Sequence, residues 1–483
     1  MISLTPITNV LGVLSIIIGF FMLACLPVCF IMESGDEMTF VYSALITIGF
    51  GLILYFTKFK PVNKVNKREG ILIVSLGWLT MVTFSSIPYM ISGFIPSFTD
   101  AFFESMSGMT TTGASVLNDI EIVTDGVLFW RSLTQWIGGM GIIVLTVAIF
   151  PLLGIGGIEL FVAEAPGPTS DKIHPRIRET AKRLWLIYLG LTFILIILLR
   201  MGGMTGFDSL NHALTTMATG GFSTKNASIA FFTDPYIQYV LIFFMILAGT
   251  NYTVLYWGLK FNFQKVWKID EFKVYIGLIL FLVILISIPV HSVSGMTWEK
   301  SFRDSLFQIV SLITTTGFVS ADYTQWSESL TFIFFLIIFL GACAGSTAGG
   351  IKIIRHLVFF KNTWLEFKRI IHPRAIVPLK LNDQVVPPRI LTHVIIFLLL
   401  YLSTFLIGSV FVIMTGMDFL SAIGATATAL GNVGPGIGTV GPVNNFAAVP
   451  ETAKWILSFL MLLGRLELFT IFLLFTPFFW RSN

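Results

Sequence analysis

Long apolar stretches alternate with short polar ones along this chain, and the alternation predicts a protein built of membrane-spanning helices. A helix needs about 20 apolar residues to cross the hydrocarbon core of a bilayer. Stretches of roughly this length occupy residues 8–32, 39–57, 70–93, 127–150, 184–203, 235–258, 274–293, 390–416 and 452–479. A further stretch, 328–370, is too long for one span and is interrupted by glycines. The pattern therefore predicts an all-α polytopic membrane protein in a lipid bilayer.

Four shorter segments, each lying between two spans, repeat a single pattern. Each predicts a half-helix that ends in a Gly-bearing loop, and the four cover residues 99–110, 207–218, 301–314 and 418–429. In the first three, the loop glycine follows an Asp by 13 residues: Asp100 and Gly113, Asp208 and Gly221, Asp304 and Gly317. The fourth begins at Asp418 and ends in Leu430-Gly431-Asn432-Val433-Gly434. The chain therefore contains a fourfold internal repeat of span, half-helix, Gly loop and span.

The repeat divides the chain into five units. The two spans within residues 1–62 have no half-helix between them, so we expect an N-terminal helix pair outside the repeat. We expect repeat 1 in residues 63–160, repeat 2 in 161–262, repeat 3 in 263–380 and repeat 4 in 381–483.

The positive charges fall mainly on one side of the predicted spans. Most of the 30 Lys and Arg residues lie in the linkers opposite the Gly loops. Short loops rich in Lys and Arg stay on the cytoplasmic side of a membrane. The distribution therefore places the Gly loops at the outer face and both termini in the cytoplasm. The formal net charge of +4 gives no reason to expect nucleic acid binding.

Composition excludes several other classes of function. The chain is 55% hydrophobic and only 12% charged, which is not typical of a soluble domain. Cys25, Cys29 and Cys343 lie in apolar stretches and the six histidines are scattered, so neither a disulfide framework nor a zinc site is indicated. An intramembrane enzyme would need a nucleophile and a base inside the spans. Ser346 has no His within the same glycine-rich break, Gly341–Gly350, and neither HExxH nor GxSxG occurs.

Half-helices that enter a membrane from one face and end in loops can create a cation site. Irregular backbone at membrane depth must line a water-filled cavity or be buried in protein. The C-terminal end of a half-helix carries partial negative charge, and Gly allows successive carbonyl groups to turn toward a shared axis. Rings of such carbonyls replace the hydration shell of potassium in selective filters. An inert packing loop would explain one Thr-rich loop, but it explains three copies at one spacing poorly.

Together with several short motifs, these loops resemble the Trk/Ktr/HKT superfamily of potassium transporters, and in particular the bacterial Trk-type potassium uptake membrane subunit. The motifs extend over essentially the whole chain. They are Gly138-Gly139-Met140-Gly141, Leu152-Leu153-Gly154-Ile155-Gly156-Gly157, Gly221-Phe222-Ser223-Thr224, Gly341-Ala342-Cys343-Ala344-Gly345-Ser346-Thr347 and Gly464-Arg465-Leu466-Glu467. The resemblance implies potassium uptake across the bacterial inner membrane through a single pseudo-fourfold pore. It also implies a homodimer, a cytosolic nucleotide-binding regulatory ring, and no cofactor in this chain beyond potassium as substrate.

The resemblance assigns a potassium selectivity filter to three residues of each Gly loop. These positions are Thr111, Thr112, Gly113, Thr219, Gly220, Gly221, Thr315, Thr316, Gly317, Asn432, Val433 and Gly434. In the fourth loop, equal spacing from the Asp would select Gly431, whereas the family pattern selects Gly434. We adopt the family pattern.

Two further features are candidates for a gate. The glycines between Gly341 and Gly350 suit a close helix-packing face as well as a break in the helix, and the residues alone favour neither. Arg465 lies in mid-span, where a charge marks either a buried ion pair with another helix or a functional cation. The resemblance favours an obstructing loop below the filter and a cation beside the pore. The candidate gate residues are Gly341, Gly345, Ser346, Thr347, Gly349, Gly350, Lys352 and Arg465.

A second function within transport stays open. Each loop carries one filter-like Gly where the potassium-channel signature has two, which suits a sodium-permeable or a proton- or sodium-coupled transporter of the same fold. The chain has no GxGxxG fingerprint, so nucleotide control would have to come from a partner that docks on the basic cytoplasmic loops.

Overall fold

The computed structural model describes residues 3–56, 66–144, 177–375 and 377–481. The motif at 152–157 and most of the basic linker around it lie outside these residues. Six helices of the described part are long and apolar enough to cross a membrane, or seven if the bent pair Pro235–Ala248 and Tyr252–Leu259 forms one span. The six are Leu4–Met32, Glu37–Phe56, Arg68–Ile91, Lys182–Met201, Asp270–Ser294 and Pro388–Met414. The predicted all-α polytopic class is confirmed.

The N-terminal pair consists of helix Leu4–Leu23, continued after a bend by Leu26–Met32, and helix Glu37–Phe56. The two long helices touch at glycines: a Cβ on Gly12 would lie 2.7 Å from the carbonyl oxygen of Gly51. Small residues permit this close approach between membrane helices. The turn between them supplies Asp36, whose Oδ2 accepts hydrogen bonds from Thr124 Oγ1 (2.7 Å) and Val127 N (3.1 Å). The pair is therefore attached to the first repeat.

The rest of the chain forms four units with one order of elements: a leading helix, a half-helix, a Gly loop and a return helix. Leading helices 1 to 4 are Lys67–Ser85 (continued by Ile87–Ile91), Ile177–Met201, Asp270–Ser294 and Pro388–Met414. Half-helices 1 to 4 are Phe98–Met109, Gly206–Met217, Trp298–Ile313 and Phe419–Gly431. Return helices 1 to 4 are Asp125–Val144, Pro235–Ala248, Glu328–Ile337 and Glu451–Arg465. This order is the predicted one; the residue boundaries of the five units stay a prediction.

Local capping explains where most half-helices begin. The side chains of Thr205, Thr297 and Asp418 precede half-helices 2, 3 and 4 and accept hydrogen bonds from backbone N–H groups of the first turn. Such N-caps satisfy donors that have no partner inside the helix. Asp418 is thus a cap, whereas Asp100 and Asp208 lie within the first turn. Spacing counted from the Asp is therefore not comparable between the fourth loop and the first two.

Two stretches that the sequence predicts as continuous are broken, and a third is divided where its glycines predicted a break. The predicted span 235–258 bends by 111° between Pro235–Ala248 and Tyr252–Leu259. The long stretch 328–370 is divided into Glu328–Ile337 and Ile353–Ile371, as its glycines suggested. The predicted span 452–479 is wrong as one helix, because Glu467 and Leu468 adopt left-handed conformations (φ 56° and 51°) after return helix 4. Helices Phe469–Leu474 and Pro477–Trp480 follow.

Short elements complete the described chain. Helix Phe263–Trp267 and an antiparallel pair of strands, Lys380–Leu381 and Gln384–Val385, lie between the longer helices. Single 3-10 turns occur at Ser228–Phe231, Tyr323–Gln325 and Gly438–Val440, after half-helices 2, 3 and 4 respectively. Each turn lies in the connection that leads from a Gly loop to its return helix.

Candidate functional site

The four Gly loops share one backbone conformation. In every loop, the residue two positions before the loop glycine is left-handed, although it carries a side chain; these residues are Thr111 (φ 56°), Thr219 (53°), Thr315 (53°) and Asn432 (52°). The loop glycines also have positive φ: Gly113 (84°), Gly221 (77°), Gly317 (79°) and Gly434 (95°). Left-handed backbone at a non-glycine residue is uncommon and marks a constrained position. The fourth loop follows this pattern at Gly434, whereas Gly431 is the last residue of half-helix 4.

One hydrogen bond recurs at the end of every half-helix. The residue just before the loop glycine donates its N–H to the carbonyl oxygen five residues earlier, inside the half-helix. The four bonds are Thr112 to Ser107 (2.8 Å), Gly220 to Thr215 (2.9 Å), Thr316 to Ser311 (2.8 Å) and Val433 to Thr428 (3.0 Å). Each loop is therefore anchored to the C-terminal end of its own half-helix, which carries partial negative charge.

The four loop glycines close a ring through contacts with neighbouring backbone. A Cβ atom built on each glycine would collide with a carbonyl oxygen of the next loop. The pairs are Gly113 with Gly220 (2.2 Å), Gly221 with Thr316 (1.9 Å), Gly317 with Val433 (2.1 Å) and Gly434 with Thr112 (2.7 Å). All four distances are too short for a real side chain. The contacts run from loop 1 to 2, 2 to 3, 3 to 4 and 4 back to 1. We call the twelve predicted filter positions, residues 111–113, 219–221, 315–317 and 432–434, the glycine ring.

Polar side chains inside the ring bond to one another. Thr110 and Thr112 share a hydrogen bond between hydroxyl groups (2.8 Å), and Thr314 and Thr316 repeat it at the same length in loop 3. Loop 4 is joined to loop 1 because Asn432 Nδ2 donates to Thr112 Oγ1 (3.0 Å). The threonine-rich sequences therefore serve to stiffen the ring and to connect neighbouring loops.

Residues 341–352 form a non-helical stretch between return helix 3 and helix Ile353–Ile371, and we call it the intramembrane segment. It folds back on itself: Gly341 N donates to Ile351 O (2.8 Å), and a Cβ on Gly341 would lie 2.6 Å from Gly349 O. Gly345 and Gly350 have positive φ (73° and 66°). The glycines therefore mark a break in the helix rather than a continuous helix-packing face.

The intramembrane segment contacts the left-handed residues of three loops. Thr219 Oγ1 donates to Thr347 Oγ1 (3.3 Å), and Gly349 N donates to Thr315 Oγ1 (2.7 Å). A Cβ on Gly349 would lie 2.8 Å from the Cβ of Asn432. The segment therefore lies against the ring on the side of these left-handed residues.

Arg465, the last residue of return helix 4, connects the left-handed residue of loop 1, Thr111, to the same segment. Its Nη1 donates to Thr111 Oγ1 (3.2 Å) and to Thr347 O (3.0 Å). Its Nη2 donates to the carbonyl oxygens of Gly138 and Gly139 on return helix 1. The guanidinium thus bridges loop 1, return helix 1 and the intramembrane segment.

Further charged residues lie in or beside the segment, and three of them, Glu271, Arg355 and Glu467, were not among the predicted gate residues. Glu271 Oε1, at the start of leading helix 3, accepts hydrogen bonds from Ala344 N (2.7 Å) and Ile354 N (3.3 Å). Lys352 is buried and donates to the carbonyl oxygen of Ala348.

Beyond the segment, Arg355 and Glu467 form an ion pair, which accompanies the break that follows return helix 4. The available signal was a charged residue within an apolar stretch, for Arg355 and Glu467, or beside one, for Glu271, since such charges need partners. Ser346 Oγ bonds to Cys343 O (2.6 Å), and Gly345 O accepts from Tyr252 N (3.1 Å). All the predicted gate residues therefore lie in, or directly contact, one structure against the ring.

Comparison with known proteins gives consistent matches over the full chain. The family model described as TrkH, cation transport protein, matches residues 36–289 and 278–482. The chain is 40% identical to the Trk system potassium uptake protein TrkH of Salmonella typhimurium, and 40% identical to that of Escherichia coli strain K12, over 99% of each chain. The crystal structure of the potassium transporter TrkH from Vibrio parahaemolyticus superposes with a TM-score of 0.90 at 36% identity and covers 99% of this chain.

Proposed function

The chain belongs to the TrkH family of cation transport proteins, and on this premise we propose that it takes up potassium through a gated, channel-like pore. Its relatives are named as transport proteins, not as enzymes. The observation that carries the proposal is the glycine ring, in which the loops of four successive repeats share two positive φ angles and one contact pattern. A positive φ angle at every second residue of the loop lets successive carbonyl groups face one side, as a potassium filter requires.

In this proposal the selectivity filter consists of the twelve residues of the glycine ring. The fourth filter glycine is Gly434, because its φ angle and its contact with loop 1 match those of Gly113, Gly221 and Gly317. Potassium binds through backbone carbonyls at the negative ends of the four half-helices. Uncharged oxygens suit a weakly hydrated monovalent cation.

The intramembrane segment and Arg465 act as the gate. The segment lies against the ring through Thr347 and Gly349, and Arg465 holds it there by its bond to Thr347 O. Opening requires these few hydrogen bonds to break while the ring keeps its shape. The cation of Arg465 adds an electrostatic barrier on the inner side of the filter.

The partners and the location extend the same proposal. The names of the relatives describe a Trk system, which supports a complex with other subunits. We propose a homodimer in the bacterial inner membrane, with both termini cytoplasmic and a cytosolic nucleotide-binding ring docked on the basic loops. The gate would then respond to the nucleotide-binding partner.

Ion flux into liposomes tests the proposal. Purified protein is reconstituted, and the uptake of potassium and of sodium is measured under equal membrane potentials. We expect potassium uptake to exceed sodium uptake clearly. Equal uptake of both ions would favour a sodium-permeable transporter of this fold, and uptake that requires a proton or sodium gradient would favour a coupled one. Absence of any cation flux, with and without the partner, would contradict the proposal.

A further inference from the structure

Return helix 1 differs from the other three return helices on the face that meets the glycine ring. Counted from the first residue of each helix, the seventh and eleventh positions of return helix 1 are Arg131 and Gln135. The corresponding positions in the other repeats are apolar: Leu241 and Met245, Phe334 and Ile338, Leu457 and Met461. Ile338 directly follows the ten residues of return helix 3. All eight side chains are buried. One repeat thus has a buried cation and an amide where three repeats use hydrophobic packing.

Arg131 joins half-helix 1 to the outgoing ends of two Gly loops. Its Nε donates to Glu104 Oε1 on the half-helix (2.8 Å), and its Nη2 donates to Ser115 Oγ, two residues past Gly113 (3.1 Å). Its Nη1 donates to Ser223 O, two residues past Gly221 (3.3 Å). The guanidinium also lies 4.1 Å from the ring centroid of Phe222.

Glu104 completes the connection from the opposite side of the same site. Its Oε1 accepts a hydrogen bond from Ser115 Oγ (3.0 Å), and its Oε2 accepts one from Val116 N (2.8 Å). Both members of the ion pair are almost fully shielded from solvent, at 1% and 0% exposure. A buried pair of this kind is rigid only when its remaining donors and acceptors are satisfied, and here each charged group has additional partners.

Gln135 lies one helical turn beyond Arg131 and holds loop 2 on both sides of its filter glycine. Its Nε2 donates to Gly220 O (2.7 Å), and its Oε1 accepts from Phe222 N (3.1 Å). The oxygen of Gly220 is the atom that lies against Gly113. The amide therefore fixes the contact at which loops 1 and 2 meet.

Stability alone does not require this arrangement. Replacing a buried ion pair by well-packed apolar side chains is often neutral or stabilising, and the other three repeats already use apolar side chains at these positions. We propose that Arg131, together with Glu104 and Gln135, is a positioning residue that prevents loops 1 and 2 from closing around a smaller cation, and that it thereby sets the preference for potassium over sodium. This inference rests on the proposed filter function of the ring.

The test separates positioning from stability. The double variant Glu104→Met with Arg131→Met gives repeat 1 an apolar pair, and Gln135→Met reproduces the residue of repeats 2 and 4. The ratio of potassium to sodium flux in liposomes and the melting temperature are measured on the same preparations. We expect the ratio to fall about tenfold in the double variant, equivalent to about 1.4 kcal/mol of discrimination, and to fall by a smaller factor in Gln135→Met. We expect the melting temperature of the double variant to stay within a few degrees.

A second ion pair on half-helix 1, in which Lys454 is buried and Asp100 is partly exposed, provides the control. Lys454 Nζ donates to Asp100 Oδ1 (2.7 Å) and to Ala447 O (3.0 Å), and none of these groups belongs to the glycine ring. Asp100→Asn with Lys454→Met should leave the flux ratio unchanged, whatever its melting temperature.

The outcomes distinguish this inference from the proposed function. An unchanged flux ratio in the double variant and in Gln135→Met would reduce Arg131 to a packing element and overturn the inference. If the double variant does not fold, Arg131→Lys and Gln135→Met decide, since Lys keeps the charge but cannot reach all three partners. Absence of potassium preference in the unmodified protein would instead contradict the proposed filter itself.

Discussion

The glycine ring and the intramembrane segment are both rich in Gly and both contain glycines of positive φ, yet their surroundings differ. Each of the four loop glycines lies against a backbone carbonyl of the next loop, at distances that leave no room for a Cβ, and these four contacts form a closed circle. In the segment, a Cβ on Gly341 or Gly349 would lie 2.6 or 2.7 Å from a backbone oxygen, of Gly349 and Gly431 respectively, and a Cβ on Gly345 would lie 3.1 Å from the side-chain nitrogen of Asn251. These contacts form no closed circle, so the segment can be released while the ring stays intact.

The presence of Gly alone therefore indicates neither a rigid nor a mobile backbone. In the ring, every loop has the same hydrogen bond to its half-helix, and its glycine lies in the same close contact with a carbonyl group of the next loop. A shift of one loop therefore disturbs all four. The segment depends on individual hydrogen bonds. They include those with Thr219, Thr315, Arg465 and Glu271, those that Thr347 Oγ1 donates to Met217 O and Ala248 O, and the backbone bonds with Gly249 and Tyr252. Each of those bonds contributes about 1 kcal/mol, or somewhat more where a charge takes part. This difference suits a permanent filter beside a movable gate.

The largest effect should come from a side chain inside the ring. Gly113→Ser or Gly317→Ser places a Cβ on a left-handed residue and against a carbonyl of the next loop, so the ring must distort. We expect the ratio of potassium to sodium flux to fall at least about tenfold, equivalent to about 1.4 kcal/mol of lost discrimination.

Gly416→Ser is the control for that experiment. Gly416 has φ 96° with open space around its Cβ position, so the substitution imposes backbone strain without a collision. It should destabilise the protein by about 1 kcal/mol and leave the flux ratio unchanged. An unaltered ratio in folded Gly113→Ser and Gly317→Ser proteins would remove these glycines from the proposed filter.

A smaller effect should follow from removal of the Arg465 guanidinium, which lies between the ring and the segment. Arg465→Ala eliminates both an electrostatic barrier and the bond to Thr347 O, so we expect partner-free potassium flux to rise. At a separation of about 6 Å and an effective dielectric constant of about 20, the repulsion is on the order of 3 kcal/mol, and water in the pore reduces it. Flux measured against membrane potential should show the largest increase at low driving force.

Arg465→Lys distinguishes the two parts of that effect. Lys keeps the charge but lacks the two Nη groups with which the guanidinium reaches Thr111, Thr347 and return helix 1 together. Flux near that of the unmodified protein would assign the effect to charge, and flux near that of Arg465→Ala would assign it to the lost bonds. A decrease of both flux and melting temperature in Arg465→Ala would make the residue a structural one.

The smallest effect should come from loosening the segment at its far side. Glu271→Gln keeps an oxygen for Ala344 N and Ile354 N but weakens both bonds, because charge-assisted hydrogen bonds are stronger than neutral ones. We expect partner-free potassium flux to rise by a factor of about 2 to 5, equivalent to less than about 1 kcal/mol. The flux ratio of potassium to sodium should not change.

Glu366→Gln serves as its control, since it removes an exposed carboxylate that pairs with Arg369 on the helix after the segment. Exposed pairs contribute about 0–1 kcal/mol, so flux should stay constant. A changed flux ratio in Glu271→Gln would mean that a change in the segment alters the ion preference of the ring, so that the two do not act independently.

Local sequence patterns were sufficient for the helices and for the position of the loops. Half-helix 1 was expected at 99–110 and lies at Phe98–Met109, because apolar content and loop glycines are local signals. The spacing from Asp418 selects Gly431 rather than the adopted Gly434, because Asp418 caps its helix from outside. The break after Arg465 and the bend at Gly249 were missed, since both depend on distant partners: Glu467 pairs with Arg355, and Gly249 O accepts from Cys343 N.

The site was predictable where the repeat supplied four copies of a signal and unpredictable where one repeat departs from the others. Arg131 gave no pattern of its own, because its partners Glu104 and Ser223 are 27 and 92 residues away in sequence. Glu271 likewise reads as an ordinary charged residue at the start of a helix. Long-range polar contacts of this kind become visible only once the repeats are assembled.

The glycine ring is encoded once per chain, as four different loops, rather than four times by one sequence. A mutation in a symmetric tetramer changes the sequence of every quarter of its ring at once. Here a mutation changes the sequence of one loop and leaves the other three sequences as they are, as Asn432 illustrates at a position where the other loops have Thr. Ion preference can therefore evolve in small steps, and each loop can acquire its own support without a matching change in the others.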